Sequence, residues 1–152
     1  MDSYLFQVIV IPYRKSGNDY LFAVFRRSSG LYWQWVSGGG HIGEKPEDTA
    51  LREMYEETSI LLEQNNIYKL ITTSSIPIES ILRKQVRENG KLILPEYAFA
   101  VQLDTEILNI SKEHSEYRWL DYQVALDLLK WDSNKTALWE LKRILECVNG
   151  GV

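Results

Sequence analysis

Apolar and polar positions along the chain alternate first with a period near two and later with a period near 3.6, and the change marks where strands give way to helices. Residues 4–13 are rich in Val, Ile, Phe and Tyr, which suits a strand, and Pro12 is expected to mark a sheet edge or the strand's end. A Ser16-Gly17-Asn18 turn leads into residues 20–27, where Leu21, Ala23 and Phe25 alternate with Phe22, Val24 and Arg26, so a hairpin is predicted. Ser28, Ser29 and Gly30 interrupt it, and residues 31–36 form a short aromatic strand running into Gly38, Gly39 and Gly40. A helix follows over about 46–59, opened by Pro46 with Glu47 and Asp48 in its first turn, where the helix dipole favours negative charge. Strands are predicted at 67–78 and 92–104, separated by the basic polar segment 79–91, a long loop or hairpin arm closed by Asn89-Gly90, and a short strand at 116–120. Two helical patterns, 121–131 and 134–148, finish the chain. In the last, Leu138, Leu141, Leu145 and Val148 share a face, Ser133 and Asn134 suit its N-cap, and Gly150 suits its end. This order implies an α/β fold, a mixed sheet packed between helices, in one domain over 1–152.

Composition narrows the function. With 152 residues, 45% of them apolar and 25% charged, the chain has the balance of a globular domain rather than a disordered one. A net charge of −4 argues against a nucleic-acid polymer as partner, although Arg26, Arg27, Arg83, Lys84, Arg87 and Lys91 suit a small anion. If that anion is a phosphate ester, an acidic protein needs a cation to bring the two together. The opening segment lacks a basic n-region, and Gln7 interrupts its apolar run, so it reads as a strand and not as a leader or membrane span. A cytoplasmic location without membrane contact is expected. Cys147, the one cysteine, reads as core filler.

The chemistry concentrates in residues 38–60. On a helical wheel Leu51, Met54, Tyr55 and Thr58 form one stripe, while Glu53, Glu56 and Glu57 form another on roughly the opposite side. Carboxylates at i, i+3 and i+4 repel one another, costing a few tenths of a kcal/mol per pair without a counter-ion. Two readings compete: a solvated face partly relieved by Lys45 and Arg52, or a site for a divalent metal and phosphate. The preceding glycines and a further carboxylate, Glu44, favour the second. Mg²⁺ takes oxygen ligands, usually one or two carboxylates with waters and phosphate oxygens, and glycines let backbone groups approach closely.

Gly38, Glu44, Arg52, Glu53, Met54, Glu56, Glu57 and Ile60 all stand in the register of the Nudix box, and on these residues the chain resembles the Nudix hydrolase family. One position departs, since Ser59 stands where the pattern has the glycine that ends the helix. Residues 32–40, 113–126 and 131–141 resemble the subgroup of dihydroneopterin triphosphate and dATP pyrophosphohydrolases. The resemblance implies the Nudix α/β/α sandwich and a catalytic set of Arg52, Glu53, Glu56 and Glu57. Glu53, Glu56 and Glu57 would bind Mg²⁺ or Mn²⁺ with Gly38 beside them, Arg52 would orient them by ion pairing, and Glu44 would support the loop and helix. The implied reaction is hydrolysis of a nucleoside or pterin triphosphate between its α and β phosphates. A dinucleoside polyphosphate or nucleotide-sugar hydrolase, and a nucleotide sensor without turnover, are the alternatives. The general base stays open among Glu53, Glu57, Glu96, Glu113 and Glu116.

Substrate contacts are expected from Gly39, Glu44, Arg27 and the aromatic residues Trp33 and Trp35, with one ring of Tyr32, Trp33 and Trp35 near the pocket. His41 and His114, without close His/Cys spacing, read as surface or loop residues rather than metal ligands.

Overall fold

The computed structural model describes residues 5–77 and 92–148; Arg83, Lys84, Arg87, Lys91, the Asn89-Gly90 turn and Gly150 lie outside them. Seven strands among these residues form one sheet: β1 (Gln7–Ser16), β2 (Asp19–Arg27), β3 (Trp33–Gln34), β4 (Val36–Gly39), β5 (Ile67–Pro77), β6 (Ile93–Gln102) and β7 (His114–Leu120). The helices are α1 (Pro46–Thr58), α2 (Tyr122–Leu128) and α3 (Asp132–Val148). The order β3-β2-β1-β6-β5 is mixed, with β1 and β6 parallel at its centre, β4 antiparallel to β1 and β7 antiparallel to β2.

Period-two alternation buries both faces of this sheet. Val8, Val10, Ala23, Phe25, Phe99 and Val101 pack toward Ala50 and Met54 of α1, while Ile9, Ile11, Phe22, Val24, Ala98 and Ala100 pack toward Ala125, Leu138 and Leu141 of α2 and α3. The result is the α/β/α sandwich, and its central strands are apolar on both sides because no face is left to water. No helix among the described residues is long and apolar enough to cross a membrane.

Four local expectations need correction. Pro12 lies inside the central strand rather than at an edge. β1 pairs with β4 over residues 7–10 and with β2 over 13–16, so on that side Pro12 falls in the interval between two antiparallel partners, while on the other side it stands in register with Val101 of β6. The predicted aromatic strand is two strands, β3 on β2 and β4 on β1, because the chain changes partner at Trp35. Trp35 is fully buried, and Asn134 holds it from two sides: its backbone N–H donates to Asn134 Oδ1 (3.1 Å) and its Nε1–H to the Asn134 carbonyl (2.9 Å). Asn134 is therefore no N-cap. The helix begins at Asp132, and Asn134 ties the strand switch to its first turn. Val148, expected on the apolar face of α3, is exposed, and Asn134, Ala137, Leu138, Leu141 and Leu145 form the inward stripe.

Ser59 ends α1 as the glycine would have done. It adopts the left-handed conformation at φ 64°, its N–H donates to the Tyr55 carbonyl (2.9 Å), and its hydroxyl reaches the Asn109 carbonyl (3.3 Å). The strain of about 1 kcal/mol is thus set against two hydrogen bonds.

Asn134→Ala strands the buried Trp35 N–H and should cost about 1–3 kcal/mol. Thermal melting should show Tm several degrees lower, and an unchanged Tm would remove Asn134 from the support of Trp35.

Candidate active site

The glycine turn and α1 meet at one guanidinium. Arg52 donates from Nε and Nη2 to the two oxygens of Glu44 (both 2.9 Å), from Nη2 to the Gly39 carbonyl (2.8 Å), and from Nη1 to Glu53 Oε1 (2.9 Å) and the Glu56 carboxylate (3.3 Å). Glu44 also accepts from the Thr49 hydroxyl (2.6 Å) and the His41 N–H (3.1 Å). These donors, Arg52 first, hold the Glu44 carboxyl at about 2, well below its ordinary value. Glu44 is accordingly a structural anchor of the turn. It does not line the cleft, and its expected substrate contact is replaced by the grip on Arg52.

Glu53 has the opposite environment. It is only 7% exposed, and its carboxyl fills the space that a side chain on Gly38 would occupy: a Cβ there would lie 2.0 Å from Glu53 Cδ. Burial, then the Glu56 charge, push its pKa up to about 7 despite Arg52. The buried stripe of α1 is Ala50, Glu53, Met54 and Glu57, with Thr49 and Thr58 beside it. The expected separation of core and acid faces is therefore wrong. Tyr55 is 53% exposed, Leu51 is half-buried, and two of the three carboxylates point inward, where Gly38 makes room for one of them.

Glu57 is 2% exposed and is held by residues far along the chain. Ser111 Oγ donates to its Oε1 (2.8 Å), and His114 Nδ1 lies 2.7 Å from its Oε2. Burial alone would raise its pKa; the His114 and Ser111 contacts outweigh burial and bring the carboxyl below its ordinary value. His114 is thus neither a surface nor a loop residue: it is buried at the start of β7, with Nε2 3.2 Å from Gln34 Nε2. Nothing local in the sequence marks this contact. Glu113 beside it is pushed upward by burial and by Glu57, and Arg27 partly offsets this from 3.6 Å away.

A cleft with two lobes opens over these groups. The acid lobe, about 470 Å³, is lined by Gly38, Gly39, Arg52, Glu53, Glu56 and Glu113, among others. The second lobe, about 670 Å³, carries Tyr32, Gln34, Glu96, Trp131, Ser133 and Asn134. Gln7, Arg27, Ser37, Ile76 and Pro77 line both, so the lobes are continuous. Arg27 lines both lobes at their junction, whereas Arg26 pairs with Glu116 (3.9 Å) on the neighbouring strand. Among the aromatic residues Tyr32 faces the cleft. Trp33 and Trp35 do not line it: they belong to the core between the sheet and α2 and α3, where burial of large rings stabilises more than an exposed stacking role would. Trp131, packed edge to face on Tyr32 at 5.4 Å between centroids, is the second ring of the wall, and only its place after α2 brings it there.

The residues suit a hard divalent cation without forming a complete cage. Among the described residues no three His, Cys, Asp or Glu side chains converge as a ready-made ligand set. Mg²⁺ needs one or two carboxylates and takes the rest of its shell from waters and phosphate. Glu53, buried beside the Glu56 charge in the cradle left by Gly38, is a carboxylate whose charge Arg52 compensates only in part, and a cation would supply the rest.

Because the folded pKa of Glu53 is raised from 4.5 to about 7, its ionisation lowers stability as pH rises through that interval. In metal-free buffer Glu53→Gln should melt close to the wild type at pH 4.5 and above it by several degrees at pH 8. A difference that does not grow with pH would contradict the strained carboxylate.

Comparison with known proteins gives the family. A model of the NUDIX domain matches residues 4–139. The chain is 31% identical over 133 residues to dihydroneopterin triphosphate diphosphatase of Escherichia coli K12, covering 86% of this chain and 87% of that one. It is 33% identical over 121 residues to the asymmetrical bis(5'-nucleosyl)-tetraphosphatase of Rattus norvegicus, covering 78% and 76%. A Listeria monocytogenes crystal structure assigned to the NUDIX hydrolases superposes with a TM-score of 0.81 at 40% identity, over 95% of this chain and 96% of that one. With its box residues gathered around Arg52 and its length matched by these relatives, the chain belongs to the Nudix hydrolase family.

Proposed function

We propose that this chain, acting as a single cytoplasmic domain, is a Mg²⁺- or Mn²⁺-dependent pyrophosphohydrolase of a nucleoside or pterin triphosphate, releasing the monophosphate and pyrophosphate. The observation that carries the reading is the two-lobed cleft, in which an acid lobe built by Arg52, Glu53 and Glu56 adjoins a larger lobe walled by Tyr32 and Trp131. Such a shape suits a ligand with a polyphosphate at one end and a flat ring at the other.

Each residue has a part. Glu53 and Glu56 would present oxygens to the cation from the lobe wall, and Glu57, buried outside that lining and held rigid by Ser111 and His114, would be a third carboxylate beside them. Its two contacts leave lone pairs on both oxygens, because a carboxylate accepts at about four sites. Arg52 keeps Glu53 and Glu56 in register, and its bond to the Gly39 carbonyl fixes the turn against the helix. Bound there, the cation supplies charge neutralisation of the phosphates and acidifies a water. Arg27, at the junction of the lobes, meets the phosphate chain with its guanidinium. Glu53, with its pKa pushed up to about 7, is the carboxylate in the acid lobe best matched to taking a proton near neutral pH, and burial shifts Glu113 in the same direction. Glu116 pairs with Arg26 and Arg118 instead.

The relatives support a phosphoanhydride substrate but divide over which one: one is named for a pterin triphosphate and another for a dinucleoside tetraphosphate. A panel of dATP, the NTPs, dihydroneopterin triphosphate and diadenosine tetraphosphate, with products identified, tests the reading. We expect pyrophosphate from a triphosphate, abolished by EDTA and restored by Mg²⁺. Activity that survives EDTA, or release of no phosphorus product from any member, would overturn it.

A further inference from the structure

One buried carboxylate takes no part in the acid lobe. Glu96 lies on β6 in register with Gln7 of β1 and Ser74 of β5, so three neighbouring strands present these side chains on one face, the floor of the larger lobe. It is 4% exposed. Oε2 receives only a long contact from Gln7 Nε2 (3.4 Å), and Oε1 has no hydrogen-bond partner among the described residues. Burial raises its pKa, offset in part by the nearby Ser133 hydroxyl, which makes no hydrogen bond of acceptable geometry to it. A buried carboxylate with an open oxygen is costly, since an unmet acceptor forfeits the hydrogen bonds it made to water. The fold keeps it nevertheless, at the floor of a lobe whose walls are the rings of Tyr32 and Trp131 and the amides of Gln34 and Asn134.

We propose that Glu96 selects the substrate's ring, accepting a paired ring N–H and exocyclic amine from a 2-amino-oxo heterocycle of the guanine or pterin kind. A carboxylate offers two coplanar acceptors, and such a ring offers two parallel donors on one edge, so the match is bidentate. Adenine presents a ring acceptor beside its amine and leaves one carboxylate oxygen facing a lone pair. Glu96 thereby narrows the substrate class of the proposed hydrolase, on which this inference rests, and acts through recognition and not through the reacting phosphorus.

The test compares kcat/KM for GTP, dihydroneopterin triphosphate and ATP in the wild type and in Glu96→Gln, together with binding of GMP and AMP in Mg²⁺ buffer. An amide offers one donor and one acceptor, the complement of adenine's edge. The GTP-to-ATP and pterin-to-ATP ratios should each fall by at least about tenfold, mainly through KM, and the GMP preference over AMP should vanish. These ratios do not depend on the folded fraction, because both rates scale with it. Ratios unmoved by Glu96→Gln, or a wild type that favours ATP, would overturn the assignment. Glu96-dependent preference for GMP in a protein that hydrolyses no triphosphate would sink the proposed activity and leave this inference standing.

Discussion

Arg52 is the constraint around which the site is arranged. One planar guanidinium satisfies Glu44, Glu53, Glu56 and the Gly39 carbonyl at once, linking the turn before α1 to two successive faces of the helix. Its donors lie in a fixed fork, which an ammonium does not reproduce, so the distances between these acceptors are set by the shape of a single side chain. The fork also sorts the carboxylates. Glu44 receives two of its N–H groups and two further donors, and stays ionised far into acid; Glu53 shares the Nη1 amino group with Glu56 and remains under-compensated. The crowded carboxylates are thereby divided into an anchored one in the turn and under-compensated ones on the helix.

The sheet supplies the rest of the cleft through a change of partners. At Trp35 the chain passes from β2 to β1, and this step places Gln34 and Ser37 on the larger lobe and Gly38 and Gly39 on the acid lobe within six residues. Asn134 fixes the step from the first turn of α3, so the wall of the larger lobe and the core on the helix side share one support. Glu53 needs Gly38 for a related reason. A buried carboxylate packed against a strand requires a position with no side chain, and β4, which joins β1 at this point, provides it at Gly38.

Most elements were legible because the periods of two and 3.6 are strong in a sheet buried on both faces, and the acid segment was legible because its residues lie within one turn and one helix. What could not be read were contacts that cross the chain. His114 and Ser111 hold Glu57 from more than fifty positions away, and no local pattern distinguishes His114 from a surface histidine. Trp33 and Trp35 misled for the same reason: an aromatic residue before a glycine turn suits either a core or a pocket, and only the partner switch decides. The helical wheel failed on Glu53 and Glu57 because it assigns carboxylates to solvent by default. Here a missing Cβ and a distant histidine make their burial tolerable.

The central claim is that these carboxylates are arranged for a divalent cation. Calorimetric titration of Mn²⁺ into wild-type protein and into Glu53→Gln at pH 8 tests it most directly. Saturable binding to the wild type, weakened at least about tenfold by the substitution, is the expected result. Equal affinity in the two proteins, or no binding to the wild type even with a triphosphate present, would contradict it.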